Sequence, residues 1–270
     1  MRPGVMKRAP SAQVPSGGAH SPRNVLMPSQ GRDAKICLTD IFLDTASAVE
    51  IREFLAKGIG DGVTTNQKIF LSEGNVDFKR RVLEICAMKR AWPVSVETTT
   101  HGFDELVAEA REYASWHRNV VVKVAMDKDG LGLKVVKKLH DEGIRTNMTV
   151  MVTFNQLYLA AKAGATYVSL FFNRARDAGL DPVRTIREIM PFLEDRSKAK
   201  LIVGSIRKPE DVEEIVSAGA HIATITPKVL QAMPFHPKTD ETIKEFDDAW
   251  KEFVAKNHLV LPKARLRQTR

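Results

Sequence analysis

The stretch NVVVKVAMD, residues 119–127, sets the pattern for the rest of the chain. Its valines form a continuous apolar run, which is typical of a parallel strand that is covered on both faces. A single lysine, Lys123, interrupts the run. Lysine is rarely fully buried, because removing an ammonium from water costs several kcal/mol unless the charge is paired or loses its proton. The stretch therefore predicts a buried strand and raises the question of what Lys123 does in it.

Seven further short runs share this apolar character and alternate with amphipathic, helix-like segments. The runs are KICLTDIFLD (35–44), GVTTN (62–66), VSVE (94–97), TNMTVMV (146–152), YVSLFF (167–172), KLIVGS (200–205) and HIATIT (221–226). The helical patterns cover 47–58, 102–116, 132–143, 154–164, 181–195 and 209–219, and a last helix is expected near 239–258.

Eight strands that alternate with about eight helices over roughly 220 residues predict an α/β fold, a (β/α)8 TIM barrel with an extra C-terminal helix. A doubly wound open sheet is the alternative. The first strand is not followed by GxGxxG, which makes that alternative less favoured.

Charge is uneven along the chain. Residues 1–35 contain six Lys/Arg and one acid, and residues 256–270 contain five Lys/Arg and no acid, so the overall charge of +8 lies in the two ends. The sequence predicts a disordered, basic N-terminal extension over 1–35, a barrel over 36–258 and a basic tail over 259–270. A start codon placed too early would explain the extension equally well. Without a basic face on the barrel or a nucleic-acid module, we expect no nucleic-acid partner.

Other classes are also disfavoured by composition. No run of 18 uncharged apolar residues exists, so we expect no membrane span. The N-terminal stretch has no apolar core of the kind that marks a secretory signal. There are two cysteines, Cys37 and Cys86, and their spacing is not that of metal ligands, so we expect no metal and no cofactor. So few cysteines suit a reducing compartment, and we therefore expect a cytoplasmic protein.

Polar residues collect where the predicted strands end. In a barrel these ends meet at one mouth, where active sites lie. For each residue alone, a turn or capping role would be an adequate explanation, but the convergence of all of them predicts a site. The residues are Asp44, Thr65, Asn66, Glu97, Lys123, Asn147, Thr149, Ser169, Arg174, Ser205 and Arg207. Strand parity further predicts that Asn147 and Thr149 face one side, as do Ser205 and Arg207.

This set supports the chemistry of a lysine imine. Apolar surroundings disfavour the charged form of Lys123, and a free amine attacks a ketone or aldehyde to form a Schiff base. The imine accepts electrons, so a neighbouring carbon–carbon bond can break. Asp44 and Glu97 are candidates for the acid/base steps. Two arginines, Arg174 and Arg207, suit a terminal phosphate.

The order and spacing of several motifs resemble the transaldolase family, in the small form that includes the fructose-6-phosphate aldolases. The resemblance extends over about residues 38–252. The motifs are FLDTA, DGVTTN, VSVE, VVVKV, GIRTNMTV, AAKAGATYVS, VGSIRKPEDV and HPKTDETIKEFDDAW.

The resemblance implies roles for individual residues. Lys123 stands at the imine-forming lysine, Asp44 at the base of carbon–carbon cleavage, and Glu97 at the water-linked acid/base with Thr149 beside it. Binding of the sugar is implied for Asn66, Asn147, Ser169 and Phe171, and binding of its phosphate for Arg174, Ser205 and Arg207. The implied partners are sugar phosphates and further copies of the chain, as pentamers or decamers whose C-terminal helix packs on a neighbour.

Two positions bear on the reaction. Glu97 and Phe171 resemble the transaldolase branch, where the aldolase branch tends to have Gln and Tyr, so transfer of a dihydroxyacetone unit is favoured over its release. The alternatives are a lyase that releases dihydroxyacetone, a related enzyme for an unusual sugar, and a catalytically silent sugar-phosphate binder. Three prolines typical of the family are replaced, by Gln67, Ala125 and Leu170. This predicts that Gln67 and Lys68 contact an unusual substrate, unless both point to solvent.

Overall fold

A computed structural model describes residues 38–257, and the predicted extensions 1–35 and 259–270 lie outside these described residues. All eight predicted strands are present in this part of the chain. They are β1 (Asp40–Asp44), β2 (Gly62–Thr64), β3 (Val94–Glu97), β4 (Val120–Ala125), β5 (Thr146–Met151), β6 (Tyr167–Phe171), β7 (Lys200–Gly204) and β8 (Ile222–Ile225). Every neighbouring pair is parallel, and β8 pairs with β1 to close the barrel. The predicted (β/α)8 barrel is thus confirmed, and the open sheet is excluded.

The helices surround the barrel. They are α1 (Ala48–Ala56), α2 (Gln67–Ser72), α3 (Phe78–Met88), α4 (Phe103–Trp116), α5 (Leu131–Asp141), α6 (Phe154–Lys162), α7 (Phe172–Asp177), α8 (Pro182–Arg196), α9 (Pro209–Ser217), α10 (Pro227–Ala232) and α11 (Pro237–Lys256). Local sequence sets several starts: Ser47 and Asp77 cap α1 and α3, and Thr153 forms a capping box with Gln156 at α6.

Four helices, α2, α3, α7 and α10, were not named from the sequence. Three of them have only six residues, too few to show a helical period. The boundary at α7 also differs, because Phe172 begins the helix and does not extend strand β6. Of the predicted run 35–44, residues 35–37 lie outside the described residues; β1 begins at Asp40, and Leu38 before it is 84% exposed.

The interior of the barrel is apolar at its N-terminal end. Phe42, Ile202 and Ile222 form a buried cluster there, and the Tyr167 ring packs edge-on against Phe42. We call these four residues the floor. Gly62 lies opposite Phe42 in the β1–β2 register, and a Cβ at Gly62 would lie 2.7 Å from the Phe42 ring. The Phe42 ring therefore fills the space that a side chain at 62 would need.

The C-terminal helix α11 has 20 residues, and none of them is buried. Four large apolar side chains lie along it at intervals of three and four residues, which places them on one face. They are Ile243, Phe246, Trp250 and Phe253, all exposed. We call this face the α11 stripe. Among the helices of residues 38–257, none is both long and apolar enough to cross a bilayer.

Candidate active site

Strand register places three of the predicted site residues in one row. Glu97 pairs with Lys123 across β3 and β4, and Lys123 pairs with Asn147 across β4 and β5. Residues in register on parallel strands point to the same face, and this row faces the barrel interior. The sequence therefore places the three side chains side by side through backbone pairing alone.

Lys123 is 6% exposed at its side chain and has two polar partners. Its Nζ lies 3.0 Å from Glu97 Oε2 and donates a hydrogen bond of 3.0 Å to the carbonyl oxygen of Thr65. The surroundings are therefore more polar than the valine run indicates. The ion pair means that a proton must leave Lys123 before the amine can attack a carbonyl, and the nearest acceptor is Glu97.

Asp44 lies at the end of β1, partly buried, and accepts a 2.6 Å hydrogen bond from the Thr64 hydroxyl. Thr64 in turn lies 2.5 Å from the hydroxyl of Thr224 on β8. Burial raises the pKa of Asp44, and the Thr64 hydrogen bond and the charge of Lys123 only partly offset that effect. The carboxylate thus has the raised basicity that suits a general base.

A second polar chain crosses the barrel beside Lys123. The Asn147 amide donates to the Ser95 hydroxyl at 3.1 Å, and the Ser169 hydroxyl donates to the Asn147 carbonyl oxygen at 2.6 Å. Thr149, the next inward residue on β5, has a buried hydroxyl with no partner among the described residues. A buried hydroxyl without a partner normally binds water or a ligand.

These residues line one cavity of about 130 Å³ at the mouth of the barrel, which we call the central cavity. Its lining consists of Asp44, Thr64, Asn66, Lys123, Asn147, Thr149, Ser169, Phe171, Arg174, Gly204, Ser205 and Thr224. Most of the predicted site residues are therefore brought together, and Glu97 joins them through Lys123.

The predicted phosphate residues are only partly assembled. The Arg174 guanidinium lies 4.9 Å from the centre of the Phe171 ring, and both line the central cavity with Ser205. Arg207 does not line this cavity; its side chain is 55% exposed and pairs with Asp177, Nη1 to Oδ1 at 3.0 Å. The prediction that Ser205 and Arg207 face one side of a strand is wrong, because β7 ends at Gly204 and Ser205 has a φ of +61°.

The loop that carries Ser205 is held by buried polar contacts. The Asn173 amide donates to the Ser205 carbonyl oxygen at 2.9 Å and to Asp211 Oδ2 at 2.7 Å. Asp211 is fully buried and also accepts from the backbone N–H of Arg207. These contacts stabilise the positive φ at Ser205, which an L-residue adopts only with support from its surroundings.

Three consecutive polar residues, 66–68, follow Thr65 after β2 and have different environments. Asn66 caps α2 by accepting from Ile69 N–H at 2.9 Å, which leaves its amide NH2 at the central cavity. Gln67 follows as the first residue of α2, and its Nε2 donates to the carbonyl oxygen of Thr98 at 3.0 Å. Lys68 is exposed and has no polar partner among residues 38–257. Both Gln67 and Lys68 are thus exposed, as the solvent-facing alternative expects, and of the two only Gln67 has a polar partner within the described residues.

Two further cavities lie on the Glu97 side of the mouth, and we call them the lateral cavities. The larger, of about 530 Å³, lies between the ends of β3 and β4, and the smaller, of about 260 Å³, lies under α2 and α3. Gln67, Glu97 and Thr99 line both. The loop after β3 that forms part of these walls is held by Glu109, which accepts from the N–H and hydroxyl groups of Thr99 and Thr100.

Sequence reasoning missed the hydroxyls that support the site. Ser95, Thr64 and Thr224 are ordinary strand residues by pattern, and only the closed barrel shows which charged or amide group each one contacts. One signal was available: Ser95 and Glu97 share strand parity, as do Thr224 and Ile222. Within residues 38–257, no group of three or more His, Cys, Asp or Glu is placed to hold a metal ion.

Comparison with known proteins gives a consistent result. Residues 41–261 match the profile of the family Transaldolase/Fructose-6-phosphate aldolase. A protein named "Probable transaldolase" from Streptococcus agalactiae serotype V is 44% identical over 218 residues, which is 80% of this chain and 99% of that protein. Proteins with the same name from Streptococcus equi subsp. zooepidemicus and Herpetosiphon aurantiacus are 42% and 43% identical over 213 residues, 78% of this chain and 98% and 95% of theirs.

The profile match covers most of the chain, and the similarity to these relatives extends over nearly their whole length. The chain therefore belongs to the transaldolase/fructose-6-phosphate aldolase family.

Proposed function

We propose that the protein transfers a dihydroxyacetone unit from a ketose phosphate to an aldose acceptor through a Schiff base on Lys123. One observation carries this proposal: the Lys123 amine is buried at the mouth of the barrel, 3.0 Å from Glu97 and in the same cavity as Asp44. A lysine between two carboxylates has both a base to take its proton and a second base for the substrate.

The reaction would begin when the Lys123 amine, after losing a proton to Glu97, attacks the C2 carbonyl of the ketose phosphate. Loss of water from the carbinolamine gives the protonated imine. Asp44 then removes the proton of the C4 hydroxyl, the C3–C4 bond breaks, and the electron pair remains on the bound fragment as an enamine. The aldehyde half leaves, an acceptor aldehyde takes its place, and the same steps run in reverse.

Binding of the sugar uses the remaining lining residues. Asn66, Asn147 and Ser169 present amide and hydroxyl groups to the substrate hydroxyls, and the unpartnered Thr149 hydroxyl is available to hold a water near Lys123. Arg174 and Ser205 are proposed to bind the phosphate. Arg207 can join them only by leaving Asp177.

The main alternative is a lyase that releases free dihydroxyacetone. That outcome requires protonation of the enamine in place of attack on an acceptor. Phe171, which lies under Arg174 at the cavity wall, has no hydroxyl that could supply the proton, and this favours transfer. Assaying for free dihydroxyacetone without an acceptor separates the two reactions. A silent binding protein would show no turnover above that of Lys123→Met.

The experiment that tests the Schiff base is borohydride reduction in the presence of a ketose phosphate. We expect a stable three-carbon adduct on Lys123, identified by peptide mass spectrometry, and no adduct in Lys123→Met. If the wild-type protein turns over sugar phosphates and cannot be trapped at Lys123, the mechanism is wrong.

We also propose that copies of the chain assemble through the α11 stripe, because four large apolar side chains on one helix face are exposed in the single chain. Trp250→Glu should lower the mass measured by light scattering, whereas Lys251→Glu on the same helix should not. An unchanged mass in Trp250→Glu would contradict the proposal. A cytoplasmic location remains a prediction from the cysteine usage.

A further inference from the structure

The Lys123–Glu97 pair lies between the central cavity and the two lateral cavities. Within the described chain, Lys123 lines the central cavity and neither lateral cavity, whereas Glu97 lines both lateral cavities and not the central one. Exposure agrees with this division, since the Glu97 side chain is 14% exposed and that of Lys123 is 6%. The two halves of the pair therefore open onto different cavities.

Imine chemistry requires water to cross this region twice. Formation of the imine breaks the carbinolamine C–O bond and releases one water, with the proton supplied by an acid, and hydrolysis of the final imine consumes one water. The central cavity has a volume of about 130 Å³, and a water molecule occupies about 30 Å³ of liquid. Once a sugar fills the central cavity, water has little room to pass on that side.

Gln67 stands at the place where the two lateral cavities meet. It lines both of them. Its side chain is held by one hydrogen bond of 3.0 Å, from Nε2 to the carbonyl oxygen of Thr98. Thr98 follows Glu97 directly, and its N–H donates to the Lys123 carbonyl oxygen at 3.0 Å. Gln67 is exposed, and its side chain thus occupies the outer part of the space that the two lateral cavities share beside Glu97.

We propose that water for imine formation and hydrolysis passes through the lateral cavities, and that Gln67 limits this passage as a positioning residue. This inference rests on the proposed Schiff-base function. Restricted water protects the enamine, because a closed site prevents the hydrolysis of reactive intermediates. Gln67 then acts on the balance between transfer and release without touching the sugar.

The test is the ratio of free dihydroxyacetone to transfer product in Gln67→Ala, with a ketose phosphate donor and a saturating aldose phosphate acceptor. Removing the side chain joins the lateral cavities beside Glu97, so we expect this ratio to rise severalfold over wild type. The ratio does not depend on the amount of folded enzyme, so a merely structural role of Gln67 would not move it.

Two further variants sharpen the result. Gln67→Leu keeps most of the bulk and loses the hydrogen bond, so its ratio should rise less than that of Gln67→Ala. Leu71→Ala removes a side chain that is 80% exposed on the same helix, and its ratio should equal that of wild type. Equal increases in the Leu and Ala variants would overturn the proposal, because they would assign the effect to the lost hydrogen bond and not to the opened space.

Failure of this inference can be told apart from failure of the proposed function. Borohydride trapping on the same preparations reports whether Lys123 forms an imine. If wild type and Gln67→Ala are both trapped and their ratios are the same, the passage through the lateral cavities is wrong while the Schiff base stands. If wild type is not trapped, the proposed function itself fails.

Discussion

The two ends of the barrel interior are built from the same strands and have opposite character. A single residue separates Phe42 of the floor from Asp44 of the mouth on β1, and Ile222 from Thr224 on β8. Each pair shares strand parity, so both members point inward. The floor is dry and packed, whereas the mouth exposes carboxylates and hydroxyls to a cavity. The packed floor and the proposed site at the mouth are therefore only one pleat apart along the same strands.

The strongest way to test this separation is to remove the central group of the mouth. Lys123→Met should lower kcat by at least about 10³-fold, because Lys123 is the only amine among the described residues that line the central cavity. Met fills a similar volume, so the loss of stability should come mainly from Glu97, which loses its ion-pair partner and should cost no more than about 3–5 kcal/mol. Steady-state kinetics and denaturant unfolding on the same preparation measure both effects. A variant that kept a tenth of wild-type activity would contradict the assignment.

The opposite change removes the largest fully buried side chain of the floor. Phe42→Ala should lower the free energy of unfolding by about 3–5 kcal/mol, as expected for a fully buried aromatic residue. Activity per folded molecule should remain near wild type at low temperature. Phe235→Ala, in which the same side chain is lost from an exposed position, is the matched control and should change stability by no more than about 0.5 kcal/mol. A collapse of kcat in folded Phe42→Ala would show that the two ends are coupled.

A finer test concerns the proton affinity of the mouth. The Thr64 hydroxyl favours ionised Asp44, so Thr64→Val should raise the pKa of Asp44 further above its ordinary value of 3.8. Because Asp44 must be ionised to act as a base, the acid limb of the kcat–pH profile should move to higher pH, by about one unit for a lost hydrogen bond to a charge. An acid limb that stays in place or moves to lower pH would show that Asp44 does not control it.

The smallest expected effect is a difference in KM between changes at Arg174, which lines the central cavity, and at Arg207, which lies on the surface beside it. Arg174 lines the central cavity, so Arg174→Ala should raise the KM for a sugar phosphate about tenfold or more. Arg207 is exposed and pairs with Asp177, so Arg207→Ala should change KM by less than about threefold. Equal increases in KM would mean that Arg207 leaves Asp177 and binds the phosphate.

The sequence alone was sufficient to predict the eight strands and to single out Lys123. Eight short apolar runs that alternate with helical patterns predicted the parallel barrel, and Lys123 was conspicuous because a charge interrupts an apolar run. Hydroxyls such as Thr64 gave no comparable signal, since threonine is common in strands and its partner Asp44 lies 20 positions away in sequence. Pairwise contacts of this kind depend on barrel closure, which local patterns do not encode.

Arg207 and Gln67 show the same limit in different ways. Strand parity predicted that Arg207 faces the same side as Ser205. The strand ends before Ser205, however, and the positive φ of Ser205 changes the direction of the chain. For Gln67 the sequence identified an unusual position, and only the structure showed that its amide binds a backbone carbonyl. A sequence motif therefore located these residues without fixing what they contact.

The row of Glu97, Lys123 and Asn147 has a consequence for folding fidelity. A slip of one residue between β4 and its neighbours would turn Lys123 away from the interior and into the layer between barrel and helices. There the ammonium would be among apolar side chains without a counterion, at a cost of several kcal/mol. The lysine that is proposed to form the imine thus also penalises the wrong pairing of the central strands.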